Sequence, residues 1–176
     1  VTNNDGSTET QVRANATAGF SIVTYSGNDT AGATLGHGLG VAPEIVIVKW
    51  RNGADNWLVY SEHAGSGRTL WLDSNSVTPT GSAYYGYFWN NTAPSSSVIT
   101  LGSNGGINGS SRNYVAYCFS SVAGYSQFGE YIGNNNSNGA FVYTGFQPAY
   151  LVIKKTNLAS NWIQWDNARM TYNVME

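Results

Sequence analysis

One stretch of this chain occurs twice, and that repetition limits the fold more than any other feature. Residues 43–57 and 148–162 share, at the same spacing, a proline, an apolar run ending in lysine, and the pattern Asn-x-Ala-x-Asn-Trp. The offset is 105 residues throughout. Upstream, Tyr25-Ser26-Gly27-Asn28 matches Tyr131-Ile132-Gly133-Asn134 at an offset of 106. Self-similarity at a fixed period defines the unit of architecture, so the chain is expected to repeat one domain-sized unit.

The repeat also suggests how the chain is divided. Residues 19–124 are expected to form the first unit, and residues 125–176 a second, incomplete copy of it. Residues 1–18 are polar and weakly patterned, which favours an N-terminal arm or linker. A total of 176 residues suffices for one domain plus part of a second.

The composition excludes several classes of protein. Charged residues make up 10% and aromatics 14% of the chain, whereas disordered chains are rich in charge and poor in aromatics. The net charge is −2 and no basic cluster is present, so the electrostatic footprint of a nucleic-acid-binding protein is missing. No apolar run reaches the roughly 18 residues of a membrane span. A neutral surface rich in hydroxyl and amide groups is typical of an extracellular or particle-bound β protein.

Short β-branched and aromatic runs separated by Gly/Asn turns predict an all-β fold. The predicted strands are residues 20–25, 44–50, 56–60, 68–73, 84–89, 97–101, 113–119, 128–131, 141–144, 150–155 and 161–165. No window shows a sustained 3.6-residue apolar period. Many short strands with turn signals between them favour an antiparallel β-sandwich or jelly roll.

Few residues suggest a chemical site. Gly36-His37-Gly38-Leu39-Gly40 superficially resembles a phosphate loop, but a strand rather than a helix follows it. Glycines that allow positive φ in a tight loop explain the segment better. His37 and His63 are the only histidines and lack ligand spacing. The single cysteine, Cys118, lies in an alternating apolar run and is expected to be a small buried hydrophobe.

The carboxylates do not form a catalytic pattern either. Glycosidases need two carboxyl groups that converge on the scissile bond, and no Glu-x-Asp-x-x-Glu run is present. Glu62 and Asp73 would converge only through folding. Asp55, Asp73 and Asp166 are an alternative as calcium ligands with loop carbonyls. Isolated, solvated carboxylates are the preferred interpretation, so no catalytic residue, metal site or cofactor is predicted.

Aromatic side chains are the best candidates for binding. The predicted strand over residues 84–89 would place Tyr85, Tyr87 and Trp89 on one face, and flat rings with polar tips suit sugars or protein partners. The candidate glycan or partner contacts are Trp71, Tyr85, Tyr87 and Trp89. The alternative is that both faces are buried, one in the core and one in a subunit interface. Trp57 and Trp162 occur in both copies and are expected to serve the fold.

Several longer motifs carry a family resemblance. They are residues 8–15 (Thr-Glu-Thr-Gln-Val-Arg-Ala-Asn), 19–27, 36–43 (Gly-His-Gly-Leu-Gly-Val-Ala-Pro), 89–94 (Trp-Asn-Asn-Thr-Ala-Pro), 114–119 (Tyr-Val-Ala-Tyr-Cys-Phe) and 139–148. With these motifs the chain resembles a domain common in tailed bacteriophages, especially marine ones, whose members are largely uncharacterised virion or tail-fibre-like proteins. The resemblance implies a phage origin and a lectin-like β-sandwich, and it supplies no catalytic or binding residues.

The sequence therefore predicts a non-enzymatic virion protein: a tail fibre, spike or decorating subunit that mediates host attachment or virion assembly. A carbohydrate-binding module is the main alternative, and a glycan depolymerase is less favoured. Unpaired strand edges such as residues 150–155 need covering, which predicts a homo-oligomer, with a trimer favoured by analogy with fibres. Other virion proteins and a host surface glycan are the further expected partners, and neither nucleic acid nor a membrane is expected.

Overall fold

The computed structural model describes residues 1–76 and 86–169, and within them the chain is nearly all β. The strands are β1 (Thr2–Asn3), β2 (Thr10–Asn15), β3 (Phe20–Ser26), β4 (Thr34–Gly36), β5 (Ile45–Trp50), β6 (Leu58–Ser61), β7 (Leu70–Trp71), β8 (Val98–Thr100), β9 (Asn113–Phe119), β10 (Tyr150–Ile153) and β11 (Ile163–Asp166). A short 3-10 turn (Ala16–Ala18) and a one-turn helix, α1 (Gly105–Asn108), complete the elements. The main sheet has the order β1-β2-β3-β9-β5-β6-β7, and every pair in it is antiparallel. The prediction of an all-β, antiparallel fold is confirmed.

Strand β9 lies at the centre of the main sheet. It pairs along its whole length with β3, from Phe20 opposite Phe119 to Ser26 opposite Asn113. On its other edge it pairs with β5, again beginning at Phe119. Side chains alternate between the two faces of a strand, so Tyr114 and its alternate neighbours are buried while those between them are half-exposed.

One face of the main sheet carries the hydrophobic core. The ribbon formed by β4 and β8, helix α1 and the turn at residues 86–91 supply the residues that pack against it. The buried core comprises Val12, Val23, Tyr25, Leu35, Leu39, Val46, Val48, Leu58, Tyr60, Phe88, Trp89, Ile99, Leu101, Ile107, Tyr114, Ala116 and Cys118. Burial raises the pKa of the Cys118 thiol to about 12, so it stays protonated. The prediction of a small buried hydrophobe is confirmed.

Two stacked tyrosines attach helix α1 to the sheet. The rings of Tyr25 and Tyr114 stack with centroids 5.1 Å apart. The Tyr25 hydroxyl donates to the carbonyl of Ile107 at 2.7 Å, and the Tyr114 hydroxyl donates to the carbonyl of Gly105 at 2.5 Å. Burial raises the pKa of both phenols, which keeps them neutral and able to donate. Helix α1 is therefore held by side-chain donors from β3 and β9.

A buried asparagine joins the loops around α1. The amide nitrogen of Asn108 donates to the carbonyls of Thr30 and Gly102 at 3.0 and 2.9 Å. Its amide oxygen accepts from the backbone N–H of Asn28 at 3.1 Å. A buried polar group that finds partners for both its donor and its acceptor fixes local geometry instead of destabilising it.

The glycine-rich loop is structural, as the sequence indicated. Gly38 and Gly40 adopt φ of 69° and 77°, a region that glycine enters without steric cost. His37 is buried. Its Nδ1 accepts from the backbone N–H of Leu39, and its Nε2 lies 3.2 Å from the carbonyl of Ser95. Burial lowers the pKa of His37, which is consistent with a neutral imidazole bonded at both nitrogens.

The expectation of an arm or linker over residues 1–18 is wrong. Strands β1 and β2 extend the main sheet beyond β3. Thr10 and Val12 point into the protein and are buried, while Gln11 and Arg13 are exposed. The pattern was hidden because a polar residue occupies a core position: the Thr10 hydroxyl is satisfied by the carbonyl of Gly36 at 3.1 Å.

Other predicted strands are shorter or absent. Strand β7 contains two residues, and residues 86–89 form turns instead of the end of a strand. Residues 128–131 and 141–144 are not strands, and Phe141 is 90% exposed. These segments are rich in residues that favour strands, but neither has a pairing partner in the part of the chain that the structure describes. A strand is stable only when its backbone groups are paired.

Strands β10 and β11 form a separate hairpin. Tyr150 pairs with Asp166 and Ile153 with Ile163, which confirms the two strands predicted in this region. The indole N–H of Trp162 donates to the carbonyl of Trp71 at 2.6 Å, so the hairpin contacts the main sheet where β7 ends.

Replacing Tyr25 by phenylalanine tests the role of its hydroxyl. The change leaves the buried carbonyl of Ile107 without this donor, and the free energy of unfolding is expected to fall by about 1–3 kcal/mol. Tyr125→Phe is the matched control, because Tyr125 is 69% exposed, and a change within about 0.5 kcal/mol is expected there. Urea unfolding followed by circular dichroism measures both, and equal stability of the two variants would contradict the role given to Tyr25.

Candidate functional site

Two of the predicted aromatic contacts lie together at the end of the main sheet. Trp71 packs edge-on against Phe88 with ring centroids 5.9 Å apart. Tyr87 also packs edge-on against Phe88, with ring centroids 5.2 Å apart. Trp71 is half-buried and Tyr87 is 44% exposed. Tyr85 lies outside the described residues. The structure thus brings Trp71 and Tyr87 to one accessible cluster through the buried Phe88.

Trp89 does not belong to this accessible cluster, which corrects the expectation from the sequence. It is 1% exposed, its indole N–H donates to the Thr69 hydroxyl at 2.7 Å, and its ring meets Tyr60 edge-on. Asn90 and Asn91 follow with φ of 51° and 48°. Gly86, ahead of Tyr87, has φ of 80°, and residues 86–91 form consecutive turns, so the strand alternation that would have placed Trp89 beside Tyr87 is absent. Trp89 is a core residue and presents no ring face to a ligand.

An open groove of about 540 Å³ begins next to Trp71 in the chain, at Leu72. Its lining residues are Leu72, Asp73, Ser74, Asn75, Asn161 and Trp162. The first four follow β7, and the last two come from the β10–β11 hairpin. The bond from Trp162 to the carbonyl of Trp71 and a backbone bond of 2.9 Å from Ser160 to Asn75 hold the two walls together.

The groove combines an aromatic edge with neutral and acidic hydrogen-bonding groups. Trp162 supplies part of an indole surface, and Ser74, Asn75 and Asn161 supply hydroxyl and amide groups. Asp73 accepts from the backbone N–H of Trp57 at 3.2 Å, which orients its carboxylate. Aromatic area with a few convergent polar groups is the general chemistry of a small-molecule site.

A second aromatic surface lies on the face of the main sheet opposite the core. Trp57 stacks on Tyr117 with centroids 6.4 Å apart, and the Lys49 ammonium is 5.9 Å from the Trp57 ring centre. Ile22 and Ile47 flank Tyr117 across the sheet, and all of these residues are only partly buried. Sequence reasoning assigned Trp57 to the fold alone. The missed signal is that β9 carries apolar residues on both of its faces and not only on the face that meets the core.

A second cationic side chain, at the end of the β5–β9 pair, is already engaged. The Arg112 guanidinium lies 4.2 Å from the Trp50 ring centre and 3.8 Å from the carboxylate of Asp55. Asn52 accepts from the Trp50 indole and from the backbone N–H of Asn113. These contacts fix the end of the β5–β9 pair, so they are structural.

The carboxylates considered for calcium lie apart and have other partners. Asp166 accepts from Arg169 through backbone and side chain, and these hydrogen bonds lower its pKa. Asp55 lies near the Arg112 guanidinium, and Asp73 accepts from the backbone N–H of Trp57. Within residues 1–76 and 86–169, no group of three or more His, Cys, Asp or Glu is placed to hold a metal ion. The same residues contain no helix with the length and apolar character needed to cross a membrane.

Comparison with known proteins identifies the family of the chain. A family model described as "Domain of unknown function (DUF7483)" matches residues 1–176, so the chain belongs to that family. No curated protein matches the chain. No solved structure matches it either.

Substitutions at Trp89 and Tyr87 separate a core role from a surface role. Trp89→Ala is expected to lower the free energy of unfolding by about 3–5 kcal/mol, because it leaves a cavity in the core. Tyr87→Ala removes an accessible ring and is expected to cost about 1 kcal/mol or less. Thermal and urea unfolding measure both variants. Similar losses at the two positions would contradict this assignment.

Proposed function

We propose that this member of the DUF7483 family is a non-enzymatic structural protein of a bacteriophage virion, built from β-sandwich units that repeat about every 105 residues. It serves as a tail-fibre, spike or decorating subunit that joins virion chains and contacts the host surface. The observation that carries the proposal is that two hairpins 105 residues apart share one register.

The hairpins correspond residue by residue. The β5–β6 hairpin pairs Ile45 with Ser61, and the β10–β11 hairpin pairs Tyr150 with Asp166. The same offset holds for all four pairs in each ladder. Because a slip of one residue would turn every side chain to the other face, a common register supports a repeated unit more strongly than sequence similarity does.

The correspondence extends to the turn before each hairpin. Gly40 and Gly145 precede Pro43 and Pro148 by three residues and adopt φ of 77° and 78°. A left-handed residue followed by an extended chain and then a strand therefore occurs twice at the same offset. This agreement in backbone conformation supports a repeat that includes more than two strands.

A layered sandwich is supported by the two faces of the main sheet. One face is covered by the β4–β8 ribbon and α1. The other carries a row of half-exposed apolar residues that includes Ile22, Tyr117 and Ile47. Sheets bury apolar faces against another layer, so a second layer on this face is part of the proposed architecture.

Assembly with other chains is supported by the exposed apolar residues after position 124. Large hydrophobic side chains exposed in this region are Tyr125, Tyr131, Ile132, Phe141, Val142, Tyr143, Tyr150, Val152, Leu158 and Ile163. Contiguous apolar patches mark interaction sites in soluble proteins, and ten exposed large apolar side chains within residues 125–163 are candidates for such a patch. We propose a homo-oligomer, with three subunits as the arrangement typical of fibres.

The proposal predicts a multimer in solution and a place in the particle. Light scattering after size-exclusion chromatography at micromolar concentration is expected to give three times the chain mass of 18.9 kDa. Gold-labelled antibodies against the chain are expected to decorate purified virions of a phage that carries the gene. A stable monomer would contradict the assembly, and absence of the protein from virions would remove the virion function.

A carbohydrate-binding module is the second candidate, favoured by the accessible rings of Trp71 and Tyr87 and by the groove that begins at Leu72. On a glycan array, the chain is expected to bind host surface polysaccharide, and Tyr87→Ala is expected to weaken binding about tenfold, as loss of one ring contact does. Val41→Ala, which changes a 52% exposed apolar side chain outside the groove and outside the proposed assembly surface, is the control. Binding unaffected by Tyr87→Ala would contradict this site. New reducing ends after incubation with polysaccharide would contradict a non-enzymatic role.

A further inference from the structure

We propose that the edge of β10 facing away from β11 accepts an antiparallel strand with the residue pattern of β9. This acceptor edge, residues 150–157, would be completed by a strand from a second polypeptide chain, different in sequence from this one, whose flank is acidic. The inference rests on the repeat proposed above and adds the identity of the missing neighbour, its register and its charge.

The first hairpin supplies the template. Strand β5 is paired on both edges, with β6 on one side and β9 on the other. Strand β10 is paired with β11 alone in the part of the chain that the structure describes. An edge with unpaired N–H and C=O groups is a template for another strand, and main-chain hydrogen bonds supply the affinity of such strand addition.

The register of the incoming strand follows from the offset. Ile45 lies opposite Phe119 and Trp50 opposite Tyr114 in the first unit. The counterparts of Ile45 and Trp50 are Tyr150 and Lys155. The incoming residue that corresponds to Phe119 therefore lies opposite Tyr150, and the one that corresponds to Tyr114 lies opposite Lys155.

The acceptor edge keeps the cap that receives the start of β9. In the first unit, the Asn52 side chain accepts from the backbone N–H of Asn113 at 2.9 Å, and the backbone N–H of Arg51 donates to the carbonyl of Asn113 at 2.7 Å. Asn157 occupies the position of Asn52 and is exposed. An amide acceptor is therefore already in place for the first N–H of an incoming strand.

The end of the acceptor edge at Tyr150 lacks the side-chain acceptor found at the matching end of β5. In the first unit the Glu44 carboxylate accepts from the backbone N–H of Ser121. Its counterpart is Ala149, which offers no such acceptor. The incoming strand is thus anchored at the Asn157 end and needs no residue equivalent to Ser121.

The faces of β10 specify alternation in the incoming strand. Val46 and Val48 of β5 are buried in the core, and their counterparts Leu151 and Ile153 are apolar and half-buried. Val152, on the other face, is 43% exposed. In β9 the residues beside Val46 and Val48 are small, Cys118 and Ala116. Small apolar residues at these two positions of the incoming strand would sit beside Leu151 and Ile153.

The charge of the partner differs from that of β9. Arg112 stacks on Trp50 and lies near Asp55 in the first unit. In the second hairpin Lys155 replaces Trp50, and Ser160 replaces Asp55. An arginine at the position of Arg112 would therefore lose both of its partners and lie near the positive charge of Lys155. Lys155 is exposed. An acidic residue at the position of Arg112 would face Lys155, whereas an arginine would be repelled by it.

Two labelled peptides with the sequence of residues 111–121 test the proposal, one unchanged and one carrying Arg112→Glu. Each is titrated with the full chain under reducing conditions, and binding is followed by fluorescence anisotropy. The Arg112→Glu peptide is expected to bind about fivefold more tightly at low salt, and the difference is expected to shrink at about 0.5 M salt, where exposed charges are screened. A peptide that also carries Ala116→Asp and Cys118→Asp is expected not to bind.

Charge reversal in the chain checks the register. Lys155→Glu is expected to make the unchanged peptide the tighter binder. Lys154→Glu is the matched control and is expected to keep the original order, because adjacent residues of a strand face opposite sides. Absence of binding by both peptides overturns the proposal, and binding without reversal by Lys155→Glu overturns the register. Oligomeric mass and presence in virions are measured separately, so either proposal can fail while the other stands.

Discussion

The pairing of β9 on both of its edges is the constraint on which the rest of this structure depends. Residues 113–119 join residues 20–26 to residues 45–50, although these segments are far apart in sequence. The pairing also sets Tyr114 against Tyr25, and these two hydroxyls hold helix α1 over the core. Without β9, β3 and β5 would each lack a partner on one edge, and the buried face of the sheet would lose the side chains of its central strand.

The β10–β11 hairpin shows what a similar local sequence does where the described residues supply no third strand. It forms with the register of β5–β6, so the hairpin pattern is encoded locally. Its core-facing residues are less buried: Val46 is fully buried, while its counterpart Leu151 is half-buried. Hairpins need a third strand or a packed layer for independent stability. An exposed hairpin held to its neighbour by Trp162 is therefore suited to joining chains, which is the basis of the proposed assembly function.

The sequence predicted the strands whose apolar and β-branched residues form uninterrupted runs, above all β3, β5 and β9. It did not predict β2, because the core position of Thr10 depends on the distant carbonyl of Gly36. It placed Trp89 on an accessible face, since the turns over residues 86–91 cannot be predicted from an alternating strand pattern. The groove was also missed, because it depends on Trp162 reaching Trp71, a contact between residues 91 positions apart.

Backbone hydrogen exchange of β10 and β5, measured by NMR on the isolated chain, tests most directly whether β10 is a copy of β5 with one open edge. Amides of β5 on both edges are expected to be protected at the level of global unfolding, because both neighbours are present. Amides of β10 that face away from β11 are expected to exchange within about tenfold of the unstructured rate, as local opening without a partner allows. Equal, strong protection on both edges of β10 would contradict the account.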